Sequence, residues 1–212
     1  MNLLNEFIKF SVALFAIMAP LSAIPLYLSL TSEYSKQEKN ATIRTSFITM
    51  FLVLFISSIL GTKILDIFST NLNAFRIAGG LVLMHVAFGL INAKVASQRH
   101  TKEEHEEAIS KSSIGAVPLA IPLIAGPGSI TAVILKAEEM SGFVSKSVLT
   151  ASIFAVCLSC CLILKSAGYI GRLLGHAGIN IVSRIMGLIV AAVAVQLILG
   201  GFENMYPAMK GL

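Results

Sequence analysis

Residues 10–32 read FSVALFAIMAPLSAIPLYLSLTS, a run of 23 amino acids without a charged side chain. A helix that crosses the hydrocarbon core of a bilayer needs about 20 predominantly apolar residues, so this run is long enough to cross. It also contains Pro20 and Pro25, and a proline inside a helix removes an amide donor and clashes with the preceding turn. The stretch therefore predicts a membrane-spanning helix that is broken part-way.

The composition of the whole chain also favours a membrane location. Of its 212 residues, 56% are hydrophobic and only 13% are charged, whereas soluble domains carry about 25% charged residues. Such hydrophobicity also excludes a disordered chain. The net charge of +5 is spread thinly and Trp is absent, so no nucleic-acid partner is predicted.

Five more charge-free runs of membrane-helix length follow: 45–62, 77–93, 112–135, 147–164 and 185–202. Backbone amides in lipid have no water to bond, which favours helices, and the runs lack the alternation of barrel strands. The sequence therefore predicts an all-α membrane protein with six transmembrane helices. With the N-terminus outside, ten of the 16 Lys and Arg residues lie in inside loops, so the positive-inside rule predicts a multi-pass protein with both termini outside.

The run lengths repeat after three spans, reading 23, 18, 17 and then 24, 18, 18 residues. Ala19–Ser22 aligns with Gly126–Ser129 at an offset of 107, and Arg76–Val82 aligns with Arg184–Val190 at an offset of 108. An odd number of spans inverts the second copy in the membrane; chance similarity of apolar segments is the alternative. The predicted parts are a first three-helix repeat at 1–94, an acidic cytoplasmic loop at 95–111 and a second, inverted three-helix repeat at 112–212.

Five of the six prolines lie in the first and fourth runs: Pro20, Pro25, Pro118, Pro122 and Pro127. Together with Gly126 and Gly128, they predict that the first and fourth helices are broken. Backbone groups without intrahelical hydrogen bonds are tolerated at membrane depth only where they lie against protein or a water-filled cavity. Interrupted segments at matching places in two halves are typical of a transporter's binding site, and two kinked structural helices are the alternative interpretation.

Residues 117–130, VPLAIPLIAGPGSI, resemble the signature of the MarC/SnatA family of small neutral amino-acid transporters. Phe75–Gly80, Arg184–Leu188 and the acidic loop around Glu103–Glu107 resemble further features of that family. The resemblance covers essentially the whole chain. It implies six spans, an inner bacterial or archaeal membrane and kinship with the lysine-exporter superfamily. The family's usual first-helix motif, Asn-Pro-hydrophobic-Gly, is replaced here by Ala19-Pro20-Leu21-Ser22.

The resemblance and the broken helices together predict a secondary transporter of a small neutral amino acid, such as glycine or alanine. Free amides at half-helix N-termini suit a carboxylate, and carbonyls at interrupted C-terminal ends suit an ammonium group. The predicted substrate-binding residues are Pro20, Leu21, Ser22, Ala23, Gly126, Pro127, Gly128 and Ser129. Export of another small metabolite and a membrane scaffold without transport are the alternatives.

Four residues are predicted to have structural or gating roles: Pro25, Pro122, Arg76 and Arg184. A guanidinium at the bilayer centre costs about 2.5–3.5 kcal/mol on insertion scales. The two arginines are therefore predicted at opposite membrane edges, where they bond freed carbonyls or anchor to headgroups. His85, near the middle of the third run, can couple a proton or bond a neighbouring helix as a neutral side chain.

No cofactor or metal is predicted, and the chain is not predicted to be an enzyme. It lacks a nucleotide-binding loop, so a proton or sodium ion is the candidate coupling ion. Cys157, Cys160 and Cys161 are predicted to pack in the core, since zinc needs four ligands. Ser129 and His85 faintly resemble a hydrolase dyad, which leaves the repeat unexplained, and no run contains the Asp of an aspartyl protease.

Overall fold

The computed structural model describes residues 3–92, 124–140 and 142–205. These residues form seven α-helices: α1 Leu3–Met18, α2 Ile24–Leu30, α3 Lys36–Ile67, α4 Leu72–Ile91, α5 Pro127–Glu139, α6 Phe143–Lys165 and α7 Ala167–Met205. A 3-10 turn at Pro20–Ala23 joins α1 to α2. Pro118, Pro122 and the acidic loop at 95–111 lie outside the described residues.

Five of the described segments are long and apolar enough to cross a membrane. They are Leu3–Leu30, Lys36–Ile67, Leu72–Ile91, Phe143–Lys165 and Ala177–Met205. The described part of the predicted fourth span is α5, which has 13 residues. The prediction of an all-α, multi-pass membrane protein is therefore confirmed, while the count of six spans stays a prediction.

Large apolar side chains cover the outer surface of the bundle. Ile56, Leu81, Leu162 and Leu188 are each about half exposed or more, and they lie on four different helices. Soluble proteins rarely expose contiguous apolar patches larger than a few hundred Å². This surface is therefore the one that lipid covers.

The broken first helix is the most buried of the five spans. Its most apolar window is 56% buried, compared with 17–44% for the other four spans. Leu14 in α1 and Ile24 in α2, on either side of the break, are fully buried. The break thus lies against protein, where open backbone is tolerated in a membrane.

Helices from the N-terminal half pair antiparallel with helices from the C-terminal half. In the α1–α5 pair, Ile17 near the end of α1 adjoins Gly128 at the start of α5. In the α3–α6 pair, the Cys161 thiol near the end of α6 donates to the Ile43 carbonyl near the start of α3 at 3.7 Å. The third pair, α4–α7, has the most extensive contact in the described bundle.

Glycines bring the backbones of α4 and α7 into direct contact. A Cβ on Gly80 would lie 2.8 Å from the carbonyl oxygen of Ala194, and one on Gly187 would lie 3.0 Å from that of Ala87. Small residues at such positions are what lets membrane helices approach closely. The two contacts are related by a shift of 107 residues.

This packing differs by one residue from the register in which the two arginine motifs were aligned. At the predicted offset of 108, Gly79 would correspond to Gly187. Gly79 instead faces the Thr131 side chain of α5, and Gly80 is the residue that contacts α7. The glycine contacts between α4 and α7 are therefore related by 107 residues, whereas the two arginine motifs align at 108.

The last helix contains a break that the sequence did not predict. Gly175 has φ 59° and ψ −176° inside α7, a left-handed backbone that glycine adopts without the Cβ clash of other residues. The break separates residues 167–174 from the span Ala177–Met205. The sixth span is consequently preceded by a short separate helical segment.

Candidate functional site

Three residues, Ala19, Pro20 and Ser22, mark the end of regular α-helical hydrogen bonding after α1. Ala19 adopts a left-handed conformation with φ 43° and ψ 55°, while its amide still donates to the Phe15 carbonyl at 3.0 Å. Pro20 has no N–H to give to the carbonyl of Ala16, four residues earlier. The Ser22 amide then donates to the Ala19 carbonyl at 3.0 Å, which starts the 3-10 turn.

The break leaves backbone acceptors free at the end of α1. Among the described residues, no turn or cap bond ends on the carbonyl oxygen of Ala16, Ile17 or Met18. All three residues are buried, with 2–6% of their surface exposed. Buried carbonyls without partners are costly, and these also carry the negative end of the helix dipole. The end of α1 is therefore suited to a cationic donor.

The start of α5 has the opposite polarity. Gly126 precedes the helix, Pro127 occupies its first turn, and no side chain caps its amides. The first amide bonded at this end is that of Ile130, which donates to the Gly126 carbonyl at 3.1 Å. Within the described residues, the amides of Gly128 and Ser129 are thus free donors, and both residues are buried. Such a helix start is suited to an anion.

Gly128 is the residue at which these two helix ends meet. A Cβ built on it would lie 3.6 Å from Cγ2 of Ile17 and 2.5 Å from Cδ2 of Leu83 in α4. A side chain at this position would have to displace the end of Leu83. The start of α5 therefore lies beside the Ile17 side chain at the end of α1. A small zwitterion carries charges that match the polarity of these two helix ends.

Three buried serine hydroxyls form hydrogen bonds at the broken segments. The Oγ atoms of Ser22 and Ser183 lie 2.8 Å apart, which fastens the 3-10 turn to α7. Ser129 Oγ donates to the Ile124 carbonyl at 3.2 Å, at the entry to α5. Ser183 was not predicted from the sequence, because its partner is 161 residues away; its position as a polar residue at the edge of the sixth run is the only available signal.

The eight predicted binding residues form two groups in the structure. Gly126–Ser129 begin α5 beside the end of α1, whereas Pro20–Ala23 form a turn that packs mainly on α6 and α7. The free carbonyls belong to residues 16–18, one turn before the predicted group. Sequence reasoning missed these residues and Leu83, although the loss of bonds to carbonyls preceding a proline is a signal that points to residue 16.

Arg76 forms an ion pair between α4 and α5. Its Nη2 donates to Oε1 of Glu139 at 3.1 Å, and Lys136 Nζ reaches Oε2 of the same carboxylate at 3.2 Å. The Arg76 side chain is only 14% exposed, and its Nε is buried without a partner among the described residues. Arg76 thus bonds a carboxylate rather than a freed carbonyl, because the charged end of α5 lies beside it.

The side chains of Arg184 and His85 are exposed, although Arg184 directly follows Ser183. Arg184 is exposed on α7 and lies toward the opposite end of the α4–α7 pair from Arg76, since neighbouring Gly187 contacts Ile91 at the end of α4. His85 is exposed on α4. In the part of the chain that the structure describes, neither side chain has a hydrogen bond, so His85 shows no bond to a neighbouring helix there.

The three cysteines of α6 are buried and free of disulfides. Cys157 and Cys160 are fully buried, while the Cys161 thiol donates to the Ile43 carbonyl. Within residues 3–92, 124–140 and 142–205, no three His, Cys, Asp or Glu side chains are grouped to hold a metal ion. The cysteines therefore pack the core.

Sequence comparison identifies the family. Residues 4–206 match the MarC family of integral membrane proteins. The chain belongs to the MarC family. It is 33% identical over 205 residues to the UPF0056 membrane protein YhcE of Escherichia coli, a match that covers 96% of this chain and 94% of the relative.

Other MarC relatives are similar over the same length. The UPF0056 membrane protein YvbG of Bacillus subtilis is 35% identical, with 93% of this chain and 94% of the relative covered. A UPF0056 membrane protein of Methanocaldococcus jannaschii is 34% identical, with 99% and 92% covered. These names describe membrane proteins and state no substrate, and MarC proteins are not known as enzymes. No solved structure matches the chain.

We expect Ala19→Gly to stabilise this MarC protein. The left-handed conformation costs a residue with a Cβ about 1–2 kcal/mol, and glycine avoids this cost. Part of the resulting stabilisation is lost because glycine has more conformational freedom in the unfolded chain. The expected rise in the free energy of unfolding is about 0.5–1 kcal/mol, seen as a higher apparent melting temperature in detergent. Ala19→Asn, which restores the MarC motif residue, is also tolerated in this conformation.

Ala23→Gly is the matched control for that substitution. Ala23 is buried in the same turn but has right-handed angles, φ −82° and ψ −15°, so glycine there only adds freedom to the unfolded chain. We expect a lower melting temperature. Equal changes in the two variants would contradict strain at Ala19.

Proposed function

We propose that the chain is a secondary transporter of small neutral amino acids, such as glycine and alanine, that works by alternating access. The observation that carries the proposal is that the end of α1 adjoins the start of α5 where Ile17 meets Gly128. Among the described residues, the buried carbonyls of the first and the buried amides of the second have no backbone partner. An amino acid that leaves water needs partners for both its ammonium and its carboxylate group. Two opposed helix ends supply both without a permanently buried charge.

The surroundings of the break favour a small, uncharged substrate side chain. Ile17 and Leu83 already approach the place where a Cβ of Gly128 would lie, so little room is left beside the free amides. The buried polar side chains nearest in sequence to the breaks are hydroxyls, those of Ser22 and Ser129. A charged or bulky substrate side chain would therefore find neither an ionic partner nor space.

The packing supports two inverted repeats. The pairs α1–α5, α3–α6 and α4–α7 are antiparallel, as inverted copies of three helices require. The Gly80 and Gly187 contacts share the offset of 107 that relates Ala19–Ser22 to Gly126–Ser129. An experimental structure in which 10–93 superposes on 112–202 by a rotation of about 180° around an in-plane axis would meet this expectation; parallel halves would refute it.

The same proposal places the protein in the inner membrane of a bacterium or archaeon. The distribution of Lys and Arg between the loops favours both termini outside. Rocking of one repeat against the other then exposes the break between α1 and α5 alternately to the two sides.

The transport test uses purified protein in liposomes with labelled glycine or alanine, under imposed proton or sodium gradients. We expect flux above that of protein-free liposomes. Glycine methyl ester lacks the carboxylate and N-acetylglycine lacks the ammonium group, so both should compete far less well than glycine. Equal competition by the ester would show that the amides of α5 do not bind a carboxylate. Absence of flux under every gradient would favour the scaffold, and flux of a different metabolite alone would favour the other exporter.

The Arg76–Glu139 pair is expected to gate this transporter. It links α4 of the first repeat to α5 of the second at one end of the bundle, so opening at that end has to break it. We expect Arg76→Gln and Glu139→Gln each to change the initial rate of glycine flux several-fold, with less effect when combined than the sum of the two, since both remove the same pair. Because Glu139 is 50% exposed, the coupling energy should be only about 0.5–1 kcal/mol.

Two other cations serve as controls for the gate. Lys136 bonds Glu139 within the same helix, so Lys136→Gln leaves the link between the repeats intact. Arg184 is exposed, and Arg184→Gln should remove only anchoring to lipid headgroups. Fluxes altered as strongly in these variants as in Arg76→Gln would mean that general surface charge, and not the inter-repeat pair, controls the rate.

A further inference from the structure

A groove of about 860 Å³ opens on the outside of the bundle between α1, α3 and α6. Its lining is rich in phenylalanine: Phe7, Phe51, Phe55, Phe143 and Phe154. The ring centroids of Phe51 and Phe55 are 5.6 Å apart, and Phe154 meets Phe51 edge to face at 5.9 Å. None of these side chains belongs to the break between α1 and α5, so the groove is separate from the proposed transport site.

Two lysines lie at one end of this groove. Lys63 near the end of α3 and Lys146 near the start of α6 both line it. Neither forms a salt bridge with a described residue, and this includes Asp66, one turn after Lys63. Ser147 and Thr150 add hydroxyl groups to the same region. The groove is thus lined by apolar side chains along its length and is positively charged at the end where the two lysines lie.

The length of the groove matches one leaflet of a bilayer. From Lys63 to Phe51 it follows twelve residues of α3, which is about 18 Å at 1.5 Å per residue. Half of the hydrocarbon core is about 15 Å deep. When the lysines lie at the membrane surface, Phe51 and Phe154 therefore lie close to the midplane. This is the layout of a phospholipid, with a charged headgroup and an acyl chain that reaches the middle of the membrane.

We propose that this groove binds an anionic phospholipid, with an acyl chain on the phenylalanines and the phosphate between the ammonium groups of Lys63 and Lys146. Lysine binds phosphate as a compact point charge, and basic residues at the membrane surface attract anionic lipids. A second protein copy in the groove would have to cover both lysines, which have no salt bridge within the described residues. The bound lipid contacts α1 and α3 on one side and α6 on the other, and so holds helices of the two halves together.

The absence of Trp from the sequence allows a direct test. Phe55→Trp places a single indole in the groove, and bromine on a lipid chain quenches its fluorescence on contact. The full-length protein is reconstituted in phosphatidylcholine vesicles that contain increasing fractions of brominated phosphatidylglycerol, and separately in brominated phosphatidylcholine. We expect about a tenfold preference for the anionic lipid, because two lysines face it. Phe143→Trp, at a residue that is 88% exposed, is the second reporter if Phe55→Trp does not fold.

Matched variants assign the preference to the groove. Lys63→Gln with Lys146→Gln should abolish it, whereas Lys165→Gln, at the other end of α6, should leave it unchanged. Ile56→Trp lies next to Phe55 on α3 but outside the groove lining, and it should report no preference. Equal quenching by the two lipids at Phe55→Trp, or the same preference at Ile56→Trp, would overturn the proposal. Quenching by neither lipid would also overturn it, because a protein surface would then cover the groove.

Discussion

Gly128→Val should reduce glycine and alanine flux to that of protein-free liposomes. A Cβ at this position lies 2.5 Å from Leu83 Cδ2 and 3.6 Å from Ile17 Cγ2, and the two methyl groups of valine extend further into the same space. They would fill the junction between the end of α1 and the start of α5. They would also cover the free amides of Gly128 and Ser129, which the proposal assigns to the substrate carboxylate.

The variant also adds volume to a packed interior, so loss of transport has to be separated from loss of folding. Overpacking of this kind costs about 1–3 kcal/mol. Gly89→Val is the matched control, since a Cβ on Gly89 of α4 meets nothing within 4 Å, and it should transport normally. In the Gly128→Val background, Leu83→Ala removes the main clash and should restore the melting temperature without restoring flux. Normal flux in a folded Gly128→Val protein would refute the proposed binding site.

Features that depend on local sequence could be predicted well. The first helix breaks where Pro20 removes a donor, and α1 ends at Met18, because the effect of a proline acts on its own turn. The lack of charge in the long runs identifies membrane segments for a similar reason, since each span must itself be apolar enough for lipid. Membership of the MarC family also followed from a contiguous motif, residues 117–130.

Contacts between distant residues could not be predicted in the same way. Apolar residues that face lipid and those that face another helix look alike in a membrane sequence, so the pattern does not identify partners. The Ser22–Ser183 contact and the Arg76–Glu139 pair join residues 161 and 63 positions apart. Gly128 was predicted as a substrate-binding residue, but its neighbours, Ile17 and Leu83, became apparent only from the packing.

Gly80→Val and Gly187→Val should be the most destabilising of the substitutions considered. At Gly128 the nearest obstacle is the end of a leucine side chain, which can move. At Gly80 a Cβ would lie 2.8 Å from the carbonyl oxygen of Ala194 and 3.2 Å from the amide nitrogen of Ile198. Backbone atoms can yield only if α4 and α7 move apart. We expect each variant to lose about 3 kcal/mol or more, the upper end of overpacking costs, measured by unfolding in mixed detergent micelles.

The combined Gly80→Val/Gly187→Val variant distinguishes rigid helix packing from two separate local clashes. If α4 and α7 move apart as stiff rods, the first valine already provides much of the room that the second one needs. The loss in the double variant should then be clearly smaller than the sum of the two single losses. Gly200→Val on α7 is the control, because a Cβ there meets only Arg76 Cδ at 3.9 Å, and it isolates the helix-propensity effect. Full additivity would mean that each contact relaxes by itself, and single losses as small as that of Gly200→Val would contradict the close approach of the two backbones.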